Sequence, residues 1–308
     1  MILADIDRVE STVSKANQRT VNFIVHGQSY TGHLYLPKGT VRAGVVVIPG
    51  AAEKGLEDRR LIAFATALSR VDLAVFVPDL PSLRELEVNS GNIQEIEAAI
   101  LFLAGRKEFA PQGRTGLVAF SYTAGPAVLA ACKPSIASKI SIILTIGGYY
   151  SLPDVLTFIT TGDFQVNDAW QHIKPSPYGQ WVFVKSNLRH LDDQADRALF
   201  RQMINRKKTD FDLSVDDLVQ QLGLQGRSLY SFISNRDRRH VETLYADLPV
   251  AMRAEINRLD LASNDLDGLE ASLILVHGYD DTIIPFSQSA ELDQALPPGQ
   301  ADLYLVDG

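Results

Sequence analysis

Five short, largely apolar runs recur along this chain with helix-patterned segments between them, and that rhythm leaves few folds open. Gly44 to Ile48 reads GVVVI, Leu73 to Val77 reads LAVFV, and Thr115 to Phe120 reads TGLVAF. Ile140 to Ile146 (ISIILTI) and Ser272 to Val276 (SLILV) complete the set. Apolar character at nearly every position, not at alternate ones, marks strands covered on both faces. Between them, Leu56 to Arg70 puts Leu61, Phe64, Ala65 and Leu68 on one helical face, and Ile93 to Leu103 reads as the next helix. The units recur every ~25–40 residues, which predicts a parallel sheet with helices on both faces. Ahead of it, Val21 to Val25 and Tyr30 to Leu36 flank the turn HGQS and predict an antiparallel hairpin. Residues 1–19 are polar and read as a short helix or a loose arm.

The rhythm breaks once. Residues 147–271 separate two buried strands, far more than one crossover needs. Inside the gap the pattern is helical at Leu199 to Ile204, Val215 to Leu222, Leu229 to Ile233 and Val241 to Ile256. The expected architecture is therefore α/β: a mostly parallel sheet formed by residues 1–149 and 266–308, with residues 150–265 inserted as a helical cap over its carboxyl edge. Such a cap excludes water and shapes a pocket, or else serves as a spacer or interface module. Trp170, Trp181 and Tyr178 read either as an apolar wall under this cap or as a core within it. The run Arg236 to His240 reads as a solvated helix start. The last helix and strand are expected near Phe286 to Ala295 and at Ala301 to Val306.

Composition removes several classes of function. A chain of 308 residues, 46% hydrophobic, holds enough material for one large core. The net charge of −8, with no basic tail, argues against nucleic acid as a partner. Cys132 is the one cysteine, so no internal disulfide or Cys-rich metal site is expected, and it reads as a buried small hydrophobe. No group of His, Cys, Asp and Glu has metal-ligand spacing. No Walker-type or G-x-G-x-x-G loop is present, so no phosphate or dinucleotide cofactor is expected. The N-terminus lacks a basic region followed by an apolar run, and no stretch reaches the ~18 apolar residues of a membrane span. A cytoplasmic location is the resulting expectation, unless a leader has been trimmed away.

The candidate chemistry sits at Ser121. The strand ending at Phe120 runs into a sharp turn and then a small-residue helix, TAGPAVLAAC. A serine there projects above the sheet beside a helix N-terminus, the layout of a nucleophile elbow. The usual motif is G-x-S-x-G, and Ala119 and Thr123 stand where its glycines would be. A serine that only caps the following helix is the other reading of these residues.

With these pieces in order the chain resembles the α/β-hydrolase family over its whole length apart from the insertion. AFSYT carries Ser121, and HGYDDTIIP resembles the family segment H-G-x-x-D-x-x-x-P, which places the acid at Asp281 and the proline at Pro285. IPGAA matches the loop that often begins His-Gly, with Pro49 here in place of the histidine. The resemblance implies a serine hydrolase cleaving a carboxylic ester, thioester or amide through an acyl-enzyme, without cofactor or metal, on a small acyl substrate. Ser121 would be the nucleophile and Asp281 the acid, with Asp280 as alternative and Asp154 as a weaker third choice. The backbone amides of Tyr122 and Ala51, with Ala52 as second choice to Ala51, would form the oxyanion hole. Gly147 to Tyr150 closes the sixth strand and reads as an exit turn or pocket lining. The family places its histidine just after the last strand, and none of the six histidines lies there. His26, His33 and His277 read as structural, and His172, His190 and His240 fall in the insertion. Either the histidine and the last helix lie beyond residue 308, or the protein never had the base and is a non-catalytic binding scaffold.

Overall fold

The computed structural model describes residues 17–307. The strands are β1 (Asn17–Val25), β2 (Gln28–Leu36), β3 (Ala43–Ile48), β4 (Leu73–Pro78), β5 (Thr115–Phe120), β6 (Ile140–Ile146), β7 (Asp163–Val166), β8 (Ala169–His172), β9 (Ser272–Gly278) and β10 (Ala301–Val306). Eight of them form one sheet in the order β1-β2-β4-β3-β5-β6-β9-β10, and β7 and β8 pair separately. Strands β4 to β10 of the large sheet run parallel, while β2 pairs antiparallel with β1 and β4. This is the mostly parallel α/β sheet that the apolar runs predict. β1 begins at Asn17, so residues 17–19 of the expected arm are strand; the rest of that arm lies outside the described residues.

Local chemistry explains the main elements. The β1–β2 turn has positive φ at His26 (48°) and Gly27 (79°), the two-residue form whose twist suits a hairpin. Helix α1 (Arg59–Arg70) starts where the Asp58 carboxylate accepts the Arg60 amide at 2.9 Å. The helices α2 (Pro81–Arg84), α3 (Gly91–Ala104) and α4 (Ala124–Ala131) complete the first half. β3 and β5 are joined along Val47↔Val118 and Ile48↔Ala119, and β5 and β6 along Ala119↔Thr145. Strand ends β3, β5, β6 and β9 therefore finish side by side, and everything of interest hangs from that edge.

Between β6 and β9 lie α5 (Leu152–Thr161), the β7–β8 hairpin, α6 (Pro177–Asn187), α7 (Gln194–Thr209), α8 (Asp216–Val219), α9 (Leu224–Ser234), α10 (Val241–Ala246) and α11 (Val250–Leu259). The helical run expected over Val241 to Ile256 is broken at Leu248-Pro249, because proline cannot continue the preceding helix. One hydrophobic cluster runs from Ile48, Phe76 and Leu117 in the sheet to Phe158, Phe200 and Phe232 in these helices. The hairpin joins it through Phe164, whose ring meets Phe158 edge-on at 5.7 Å and Phe286 at 5.8 Å. Trp170, on β8, faces outward with Arg238 4.0 Å over its ring, so it belongs neither to a pocket wall nor to a core. Arg236 is also not a simple solvated residue. Although exposed, it donates to the carbonyls of Thr160, Ile233 and Asn235. After β9, α12 (Ser287–Ala295) leads to β10.

Candidate active site

Ser121 opens a 3-10 turn (Ser121–Thr123) between β5 and α4, and its φ is +56°. Phe120 before it is extended, so the chain reverses within one residue. An L-residue held in the left-handed region costs on the order of 1–3 kcal/mol and persists only where its surroundings enforce it. The surroundings here are dense. Ala119 and Thr123, the two replaced glycines, are both fully buried, and the Thr123 hydroxyl donates to the Phe120 carbonyl at 2.8 Å. Threonine is thus tolerated because its hydroxyl takes up a carbonyl that the turn leaves free. The close approach comes instead from Gly125, where a Cβ would lie 2.0 Å from the Tyr149 hydroxyl. At Gly148 a Cβ would lie 2.8 Å from the Ala124 side chain. The glycines that tight packing needs lie outside the motif, at positions 125 and 148.

The loop after β3 comes up beside this turn. A Cβ at Gly50 would stand 3.6 Å from the Phe120 carbonyl oxygen and 3.9 Å from the Ser121 Cβ. Ala52 donates its amide to the Leu83 carbonyl at 3.1 Å, so that N–H is already spent. Ala51 is held by its carbonyl, which accepts the Tyr178 hydroxyl at 3.1 Å. Tyr122, next to Ser121, has a buried hydroxyl without a hydrogen-bond partner. Burial, and then the negative charge of Asp281, push that phenol up, so it stays a neutral hydroxyl.

Asp281 stands two strands away, on the loop after β9. It is half-buried, and its Oδ1 accepts the amides of Ile283 (2.7 Å) and Ile284 (3.1 Å). Its Oδ2 lies 3.2 Å from where a Cβ would sit on Gly147, directly after β6, and Gly147 keeps φ +65°. Asp280 is exposed, and Asp154 is exposed in the first turn of α5. Asp280 Oδ1 lies 3.3 Å from where a Cβ would sit on Gly278, at the end of its own strand β9, whereas Asp281 reaches across to Gly147 beyond the neighbouring strand β6.

Five of the six histidines have other partners, and the sixth, His26, sits in the β1–β2 turn. His277 is buried, with Nδ1 2.7 Å from the Ser289 hydroxyl and Nε2 2.9 Å from the Ile284 carbonyl; Asp281 Oδ2 is 3.6 Å from Nε2. Bonding to a carbonyl makes Nε2 the protonated nitrogen, so this ring braces the loop. His33 meets Gln18, His172 meets Asp163 in the hairpin, and His240 lies 3.9 Å from Asp237. His190 accepts from Arg189, and burial pushes its pKa down. Among the described residues no histidine hydrogen-bonds Ser121. The open end of β10 is next to the acid: Val306 pairs with Gly278, and its carbonyl accepts the Tyr279 amide at 3.0 Å.

A cleft of about 620 Å³ opens beside the β3 loop, between α1 and the helices α6 and α7. Ala52, Tyr178 and Trp181 line it, so two of the aromatic residues singled out in the sequence do face a pocket. Its basic residues carry no motif and were not foreseen. Among the described residues no group of three or more His, Cys, Asp and Glu side chains is placed to hold a metal, and no helix is long and apolar enough to cross a membrane.

No family model matches the chain, and no curated protein matches it in sequence. Solved structures do match. A protein of Legionella pneumophila, provisionally described as a hydrolase, superposes with a TM-score of 0.58 at 14% identity, covering 99% of this chain and 88% of that one. A hypothetical protein of Pseudomonas aeruginosa matches with a TM-score of 0.50 at 16% identity, covering 96% and 87%. The esterase domain of a Rhodothermus marinus protein gives 0.47 at 15% identity, covering 94% and 88%.

Proposed function

With the α/β-hydrolase fold as premise, we propose that the protein is a serine hydrolase that cleaves a carboxylic ester, thioester or amide through an acyl-enzyme. The observation that carries this reading is the left-handed backbone of Ser121 at the β5–α4 junction. Strain at an L-residue needs a reason, and lifting a hydroxyl clear of the sheet edge is one.

Ser121 Oγ attacks the substrate carbonyl carbon while a histidine takes its proton. The tetrahedral oxyanion rests on the amides of Tyr122 and Ala51; the Leu83 bond to Ala52 favours Ala51 over its neighbour. Collapse expels the alcohol, thiol or amine, which leaves with the proton returned by the imidazole. Water then attacks the acyl-enzyme by the same route and frees the acid and Ser121. Asp281 orients the imidazole and stabilises its charge. A histidine entering from the β10 exit would meet the Asp281 loop, which adjoins that exit.

A second reading, a hydrolase-fold protein that binds without catalysing, is favoured by the absence of a histidine bonded to Ser121 among the described residues. Rapid quenching of the full-length gene product with 4-nitrophenyl acetate separates the two. Intact-mass analysis is expected to show a single acetyl adduct, absent in Ser121→Ala. A folded protein with no adduct at any quench time would favour the binding reading.

A further inference from the structure

We infer that the cleft beside the β3 loop is built for a substrate that carries an anionic group on an apolar body, an inference that rests on Ser121 being the reacting centre. The chain as a whole has a net charge of −8. Against that background this cleft is lined by Lys54, Arg59, Arg60, Lys185 and Lys208, opposed only by Glu53 and Asp58. Both acids are already answered within the wall. Asp58 accepts from Arg60 at 2.8 Å, and Glu53 accepts from Lys208.

Lys54 and Lys185 are left to act on a ligand, since their side chains make no hydrogen bond or ion pair with another described residue. Lys185 feels Glu53 and, outside the cleft, Glu87, without being paired to either. The remaining surface of the cleft is apolar and comes from Trp181, Leu86, Ile204 and Phe211. Low-dielectric walls focus the field of the bases into the cleft and favour entry of an anion. The apolar surface then rewards a hydrocarbon body, and a fully hydrophilic anion would leave it wet.

The cleft also connects to the chemistry. Ala52 lines it and follows Ala51, and Tyr178 lines it while fixing the Ala51 carbonyl. In the same loop, a Cβ at Gly50 would stand 3.9 Å from the Ser121 Cβ. A carboxylate or phosphate held by Lys54 and Lys185 would therefore lie on the β3-loop side of the scissile carbonyl, joined to it by an apolar spacer.

The test uses Trp181 as reporter. The chain has two tryptophans, so Trp170→Phe leaves only the one in the cleft. Full-length W170F protein, with and without Ser121→Ala, is titrated with octanoate and with octanamide while tryptophan emission is followed. Octanoate is expected to saturate the signal at about tenfold lower concentration than octanamide. The preference should shrink as salt rises and fall to near parity in Lys54→Gln/Lys185→Gln, whose melting midpoint confirms folding. Equal affinities, no octanoate binding, or a preference that survives the double substitution would overturn the inference. Fluorophosphonate labelling of the same preparation separates the two levels. Labelling of Ser121 without an octanoate preference removes the anion inference alone. A preference without labelling removes the link to hydrolysis.

Discussion

Two exits from the same sheet edge handle the backbone in opposite ways. At the end of β5 the chain turns through a left-handed serine, φ +56°, with buried Ala119 and Thr123 around it. At the end of β9 it turns through a loop in which polar groups are satisfied: Asp281 takes two amides, and His277 reaches a serine hydroxyl and a carbonyl. One exit holds its key side chain by steric enclosure and strain, the other by hydrogen bonds. On the proposed reading, enclosure leaves the Ser121 hydroxyl free to react, while hydrogen bonding fixes the Asp281 charge in place. A nucleophile and an orienting carboxylate need those two treatments.

The comparison breaks most visibly at the serine. Ser121→Ala is expected to lower ester turnover by a factor on the order of 10⁶, with the melting temperature nearly unchanged, since alanine keeps the same left-handed backbone strain. A loss smaller than about tenfold would show that the strained turn has no catalytic purpose. At the other exit, Asp281→Asn is expected to cost about 10⁴ in kcat, since the amide orients the imidazole in the wrong tautomer. Asp280→Asn is the matched control and should leave kcat unchanged; equal losses from both would mean that the acid has been misassigned.

Packing separates the exits next. Gly125→Ala places a methyl group against the Tyr149 hydroxyl and should destabilise the fold by about 1–3 kcal/mol, seen as a shift in the urea midpoint. Near the β9 exit, Glu291 of α12 gives the smallest effect. Burial, then the charge of Asp154, raise its pKa to about 7. Its folded pKa lies above the unfolded value, so the folded state binds the extra proton, and stability falls as pH rises from about 4.5 to 7. Glu291→Gln is expected to flatten that slope and to add about 1 kcal/mol above pH 7, the gain being limited by solvent screening at a half-buried site. A slope that persists in urea titrations of the variant would assign it to another group.

The sheet was legible because burial on both faces demands apolar residues at nearly every strand position, as in Val45 to Ile48. The β7–β8 hairpin was not, because Ala169 to His172 are all exposed and carry no apolar pattern. A local signal was nonetheless present: Asn167 and Asp168 both take positive φ, the two-residue turn that Asn and Asp favour. At the site, Asp281 was legible because its loop fixes a spacing from His277 to Pro285. The elbow was half legible, since its tight packing depends on Gly125 and Gly148 and not on the two positions of the motif. The cleft was not legible at all. Lys54, Lys185 and Lys208 come from three separate segments and converge only once α6 and α7 lie against the β3 loop.

The most direct measurement is labelling of the full-length gene product with a fluorophosphonate probe, followed by peptide mapping of the adduct. A single adduct on Ser121, abolished by Ser121→Ala and slowed by Asp281→Asn, is the expected result. A folded protein that takes no label, or takes it at another residue, would contradict the assignment of the β5 exit as a reactive elbow.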